Sequence, residues 1–193
     1  MGRDPRDLCN TMEIIDKFLN SEECKEISEF ILKYEDNIKA LGPDIYTGTA
    51  DNSLSGRHWC YNYLYDTPGK ILVPKIKKEF GECIVQCWAN TFRYGEGIKP
   101  HAHGVDPNNE YDKIGFTSVN IFLQGPTDIG TVYNNKVYKN KVGTLAKFDS
   151  RLVHSVQPNK YNNVRISMAM DVYTDKRQFQ LYSDYPQRFY HVQ

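Results

Sequence analysis

Arg93-Tyr94-Gly95-Glu96-Gly97-Ile98-Lys99-Pro100-His101-Ala102-His103 opens a stretch that runs to Asp171 and governs the reading of the whole chain. On an extended segment side chains alternate between faces, so His101 and His103, two apart, point to the same side. A third histidine follows in Leu152-Val153-His154-Ser155-Val156, a β-type run able to bring it back beside the pair. A cation then sits in Arg165-Ile166-Ser167-Met168-Ala169-Met170. Three imidazoles and a guanidinium, each on a strand-like segment, exceed what a packed core needs.

Outward from that stretch the chain divides into helices first and strands afterwards. Residues 12–19 read as a short strand. A helix follows, with Ser21 as N-cap, Glu22 and Glu23 in the first turn, and Ile27, Phe30, Ile31 and Tyr34 at helical spacing. Gly42-Pro43 ends it, and residues 44–56 carry turn formers. The aromatic alternation of residues 59–65 predicts a strand, and residues 71–80 a second helix entered near Pro74. From Cys83 onward short β-rich segments alternate with Gly, Pro and Asn turns, at residues 84–94, 117–123, 131–133, 142–148, 153–157 and 165–173.

This order predicts an α+β fold, a double-stranded β-helix or jelly roll supported by N-terminal helices. The expected layout is one domain, with helical support over about 12–81, the jelly-roll core over about 83–175 and a C-terminal extension at 176–193 that either covers the barrel or meets another subunit. Alternation marks the two faces. Val119, Ile121 and Leu123 oppose Ser118, Asn120 and Phe122, while Ile166, Met168, Met170 and Val172 oppose Arg165, Ser167, Ala169 and Asp171. The apolar faces are expected to receive the helices and the mixed faces to line a cavity.

The 193 residues suffice for one core-bearing domain, and 24 basic residues balance 24 acidic ones. A neutral chain offers no basic surface for a phosphate backbone, so nucleic acid is not the expected partner. No apolar run approaches the roughly 18 residues of a membrane span. The first ten residues are charged, so the expectation is a soluble, cytoplasmic protein with no membrane partner. Cys9, Cys24, Cys60, Cys83 and Cys87 are an odd set with no paired Cys-x-x-Cys spacing, and read as ordinary thiols rather than disulfides or a zinc site.

The stretch from Arg93 to Asp171 resembles the Fe(II)- and 2-oxoglutarate-dependent oxygenases, in their prolyl-4-hydroxylase-like branch. The residues that carry the resemblance are Arg93-Tyr94 through Gly97, Pro100-His101, Val119 to Leu123, Gly130-Thr131-Val132-Tyr133, Gly143 to Phe148, His154 and Arg165-x-Ser167. The segment Phe18 to Cys24 is weakly similar to that family's opening strand and helix. The resemblance implies Fe(II), O2 and the co-substrate 2-oxoglutarate. It also implies hydroxylation of a C–H bond in a peptide, protein or small-molecule substrate, a prolyl side chain first among them, with succinate and CO2 as co-products. His101 and His154 match the family's metal histidines.

Where the family has a carboxylate, this chain has His103. Three readings stand: His103 completes a three-histidine site, Asp106 or another carboxylate ligates in its place, or His103 faces the substrate. Arg165 matches the residue that holds the distal carboxylate of 2-oxoglutarate, a role that suits a guanidinium, with Ser167 on the same face. The competing reading of Arg165 is an internal ion pair with Asp171. Tyr94, Asn120 and Tyr133 are weaker candidates for the co-substrate pocket, and the loop from His103 to Gly115 for a lid. Two alternatives remain for the whole: a three-histidine cupin-type dioxygenase without 2-oxoglutarate, against which Arg165-x-Ser167 speaks, and a jelly-roll binding module without catalysis.

Overall fold

The helix α1 (Ser21–Lys39) follows strand β1 (Met12–Ile15) and is started by Asn20, whose side chain accepts from the backbone of Glu22 and Glu23 while Glu23 reaches back to the Asn20 amide. That reciprocal capping box places the cap one residue before Ser21, because Asn20 has the extended backbone a cap needs and Glu23 then falls at the third helical position. The computed structural model describes residues 12–41, 61–104, 106 and 108–193. The irregular segment expected at 1–10, the turns at 44–56, the start of the segment at 59–65, and Cys9 and Cys60 lie outside the described residues.

Tyr63–Tyr65 form a 3-10 turn and not the end of a strand, correcting the reading of 59–65. The Asn62 side chain caps Leu64 and also donates to the Val85 and Arg188 carbonyls, and this local capping overrides the aromatic alternation. Helix α2 (Thr67–Phe80) starts earlier than expected, with Pro68 in its first turn, so Pro74 lies inside it. Both helices press their apolar residues onto one core, in which Ile27, Ile31, Leu72 and Ile76 meet the outer faces of the strands.

Among the described residues ten strands form two antiparallel sheets: β2 (Cys83–Phe92), β3 (Ile98–His101), β4 (Thr117–Gln124), β5 (Thr131–Tyr133), β6 (Lys136–Tyr138), β7 (Leu145–Asp149), β8 (His154–Val156), β9 (Arg165–Tyr173) and β10 (Tyr190–Val192) join β1. The larger sheet runs β1-β7-β4-β9-β2-β10 and the smaller β3-β8-β5-β6. Two short helices complete the chain, α3 (Glu110–Ile114) within the loop after His103 and α4 (Gln180–Asp184) before β10. Among the described residues no helix is long and apolar enough to cross a membrane.

The alternation holds as expected. Val119, Ile121 and Leu123 join Ile166, Met168, Met170 and Val172 under the helices. Cys83 and Cys87 sit on the same outer face, free and buried like Cys24. Burial pushes the Cys24 thiol up to about 11 and that of Cys83 up to about 12, so neither is a thiolate ready for metal. The inner face brings chemistry into rows across the sheet. Gln86, Asp171 and Ser118 lie abreast, then Trp88, Ala169 and Asn120, then Asn90, Ser167 and Phe122, and finally Phe92 beside Arg165.

Candidate metal and anion site

His101 ends β3 and His154 begins β8, and the two are partners across that strand pair. Their rings lie 4.2 Å apart between centroids. His103 follows the strand instead of continuing it. Its amide donates to the Ser150 carbonyl at 2.7 Å, and its ring comes within 5.2 Å of His101 and 5.0 Å of His154. The strand alternation that pairs His101 with His103 is therefore completed by a tether to the β7–β8 turn. One nitrogen from each of the three rings falls within 4.8 Å of the others.

The protonation pattern follows from the partners. Nδ1 of His101 lies 2.8 Å from the Lys99 carbonyl and Nδ1 of His154 lies 2.9 Å from the Leu152 carbonyl. A carbonyl only accepts, so both Nδ1 atoms carry a proton, and in the neutral ring the lone pair is on Nε2. Nδ1 of His103 meets the Asp171 carboxylate at 2.9 Å and so also carries a proton, and its Nε2 is buried without a hydrogen bond. Three lone pairs and one orphaned buried nitrogen are what a cation site requires, and nitrogen donors of this type suit a first-row transition metal. Asp106 is not among the group: it is exposed, and its carboxylate accepts from the Asn108 amide within the loop.

Arg165 lies at the other end of the same inner face, with its side chain fully buried. Nη1 donates to Ser167 Oγ at 3.4 Å and Nη2 to Thr131 Oγ1 at 3.2 Å, while Nε has no partner. Its guanidinium packs 5.4 Å from the Phe122 ring and 5.8 Å from that of Phe92. Two hydroxyls and two aromatic faces leave the charge without an acid, and burial pulls it down to about 10. The expected alternative, an Arg165–Asp171 pair, is not formed. Asp171 accepts from His103 and Ser118, and six residues of strand, roughly 20 Å, separate it from the arginine.

A cavity of about 440 Å3, counting its open mouth, runs from the histidines to Thr131 and Ser167, the hydroxyl partners of Arg165. His101, His103 and His154 line it together with Ser167, Asn120 and Tyr133. Burial pushes the Tyr133 phenol well above the ordinary range, so it stays a proton donor. Tyr94 does not reach this space. It is 70% exposed on the turn after β2, paired to Asn159 through backbone, and the pocket role expected of it is not one its position allows. Arg93 beside it holds the turn instead, gripping Glu35 of α1 with both guanidinium nitrogens at 2.8 and 2.6 Å.

Thr131, Trp88 and Asp171 are site residues that the sequence reading did not assign. Thr131 stood within Gly130-Thr131-Val132-Tyr133 and Asp171 on the mixed face of its strand, so both positions were visible and their partners were not.

No protein-family model and no curated protein sequence matches the chain. Solved structures do match. A viral collagen prolyl hydroxylase from Paramecium bursaria Chlorella virus-1, in complex with 2-oxoglutarate, is 18% identical, with 87% of this chain and 99% of that one covered at a TM-score of 0.61. A prolyl hydroxylase from Trichoplax adhaerens, bound to a peptide fragment of the hypoxia-inducible factor oxygen degradation domain, is 19% identical, covering 89% and 87% at 0.61. CytC3 with Fe(II) and α-ketoglutarate is 15% identical, covering 89% and 77% at 0.53. The fold is thus a double-stranded β-helix. It is the fold of the prolyl hydroxylases and of 2-oxoglutarate-dependent oxygenases more widely.

Proposed function

We propose that the chain is an Fe(II)- and 2-oxoglutarate-dependent dioxygenase in one domain, in which His101, His103 and His154 hold the metal and Arg165, with Ser167 and Thr131, holds the distal carboxylate of the co-substrate. The observation that carries this reading is Arg165. A buried guanidinium without an acid is costly, and the cost is removed by an anion entering the cavity that the three histidines also line. A three-histidine dioxygenase that uses no 2-oxoglutarate would have no need of it.

The protein's own groups bind and orient. The Lys99 and Leu152 carbonyls and the Asp171 carboxylate hold the imidazoles with Nε2 toward the metal. Arg165 offers two parallel donors to a carboxylate, and the Ser167 and Thr131 hydroxyls, already beside it, turn toward the same anion. Phe92, Ile98, Phe148 and Val156 line the walls and exclude water, while Asn120 and Tyr133 stand between the two ends. Bound Fe(II), 2-oxoglutarate and O2 supply the oxidising power, with decarboxylation to succinate and CO2 and insertion of one oxygen atom into a substrate C–H bond.

A peptidyl proline is the substrate class favoured by two of the matched structures, a collagen prolyl hydroxylase and a prolyl hydroxylase with its peptide. The test is incubation of Fe(II)-loaded protein with 2-oxoglutarate, O2 and proline-containing peptides. Succinate is expected in step with one added oxygen on the peptide. Succinate formation without peptide oxidation would retain the reaction class and overturn the prolyl assignment; no succinate from any substrate tried, with metal bound, would overturn the class.

A further inference from the structure

Asp171 is a buried carboxylate with no lysine or arginine beside it among the described residues. It is 2% exposed on the inner face of β9, the central strand of three that fix its position between Gln86 and Ser118. Its Oδ1 accepts from Ser118 Oγ at 2.7 Å and from His103 Nδ1 at 2.9 Å. A hydroxyl brings no positive charge, and an imidazole that ligates a metal through Nε2 brings none either. Among the described residues no lysine or arginine pairs with Asp171. On the far side of the same ring, His103 Nε2 is buried and makes no hydrogen bond. The ring itself is held by the His103 amide on Ser150 and by Trp88, whose ring lies 5.8 Å away.

A buried carboxylate, one imidazole and an orphaned nitrogen pointing into a cavity form a line that ends where a cation belongs. We propose that Asp171 is a positioning residue that supplies, through His103, the negative charge that a metal-ligating carboxylate would otherwise supply at position 103. This rests on the reading in which the three histidines hold the metal. The consequence is an exchange of places: the imidazole enters the coordination sphere and the carboxylate stands behind it. The net charge around the metal then equals that of two histidines and one carboxylate. Asp171 also fixes the tautomer, because an acceptor at Nδ1 leaves Nε2 as the only ligating atom.

The test uses Co(II) alone as probe, with affinity and absorption spectrum measured on the full chain in four forms: wild type, Asp171→Asn, Ser118→Ala and the double variant His103→Asp with Asp171→Asn. Asp171→Asn is expected to weaken Co(II) binding by about 10- to 100-fold, with the thermal midpoint of the metal-free protein unchanged or raised. Ser118→Ala keeps the charge and is expected to lose no more than about threefold, as a lost neutral donor does. The double variant returns a carboxylate to position 103 without leaving a second one behind it. It is expected to recover affinity to within about tenfold of wild type, with a spectrum altered by the changed ligand.

Wild-type affinity in Asp171→Asn would overturn the proposal, and so would a double variant as weak as the single one. The double variant still decides the matter if Asp171→Asn does not fold. Failure of the wild-type chain to bind Co(II) would overturn the three-histidine metal reading itself, a result distinct from either.

Discussion

Arg165 and Asp171 lie on the same face of one strand, both are buried, and they do not neutralise one another. Each finds hydroxyls and rings among its neighbours, and among the described residues Arg165 meets no acid and Asp171 no lysine or arginine. Buried charges held this way weaken the empty protein and favour binding of a cation at one end and an anion at the other. Arg165→Met, which keeps the volume and removes the charge, is expected to leave the melting point of the ligand-free protein unchanged or higher, and to abolish the rise that 2-oxoglutarate gives the wild type. Thermal melts with and without co-substrate check both halves.

These residues were legible as types and positions. Alternation put Arg165, Ser167 and Asp171 on one face, and the histidines fell where a ligand set requires them. Their pairings were not legible, since partner choice between Asp171 and either Arg165 or His103 depends on strand register and on the turn through Ser150, which no local pattern encodes. Tyr94 shows the opposite failure. It sits in the motif but on its exposed turn, because Gly95 takes a left-handed backbone there and carries the chain away from the cavity.

At the scale of elements, the histidine cluster depends on how closely β3 lies against β8. Gly97 marks that approach: a Cβ there would stand 2.6 Å from the Val156 carbonyl oxygen and 3.0 Å from the backbone of Gln157 and Pro158. Backbone cannot swing aside as a long side chain does, so Gly97→Ala must push β3 away from β8 and draw His101 from His154. The expected result is a loss of about 1–3 kcal/mol in stability together with a drop in metal affinity on the order of tenfold. A variant that loses stability but binds metal as the wild type does would separate the strand contact from the site.

The long strands β2, β4 and β9 were legible from their composition, and β9 runs over the residues expected of it. Of the short ones, β5 and β8 lie where strands were expected, at 131–133 and 153–157, whereas β6 and β10 were not legible. β6 and β10 have three residues each, too few for a periodic signal, and are held by their neighbours. The strand expected at 59–65 fails where Asn62 finds better partners in Val85 and Arg188 than a ladder would offer.

Over the whole molecule, the helices cover one face of the larger sheet, the smaller sheet covers the other, and the cavity lies between the sheets. The C-terminal segment packs on the larger sheet. β10 pairs with the free edge of β2, and Phe189 packs with Ile84 and Tyr173. Tyr65 Oη lies within hydrogen-bond distance of the Pro186 and Phe189 carbonyls, to either of which its one proton can be donated, and fastens the segment to the helical side. Because the three histidines and the hydroxyl partners of Arg165, Ser167 and Thr131, line one cavity, loading it should stabilise the fold as a unit. At 100 times the dissociation constant a ligand adds about 2.7 kcal/mol, which for a chain of this size raises the melting point by about 5–10 °C. A divalent metal with 2-oxoglutarate is expected to give that rise, and a chelator to reverse it.

The most direct test of the central claim, that one cavity binds metal at its histidine end and a dicarboxylate at Arg165, is an anaerobic titration of the Fe(II)-loaded protein with 2-oxoglutarate, followed through the visible absorption of a chelated 2-oxo acid. The account predicts a saturable band at one equivalent of iron, with Arg165→Met needing far more co-substrate to reach it while binding iron as tightly as the wild type. Bound iron that gives no band at any concentration of 2-oxoglutarate, or a band that forms equally well without Arg165, would contradict it.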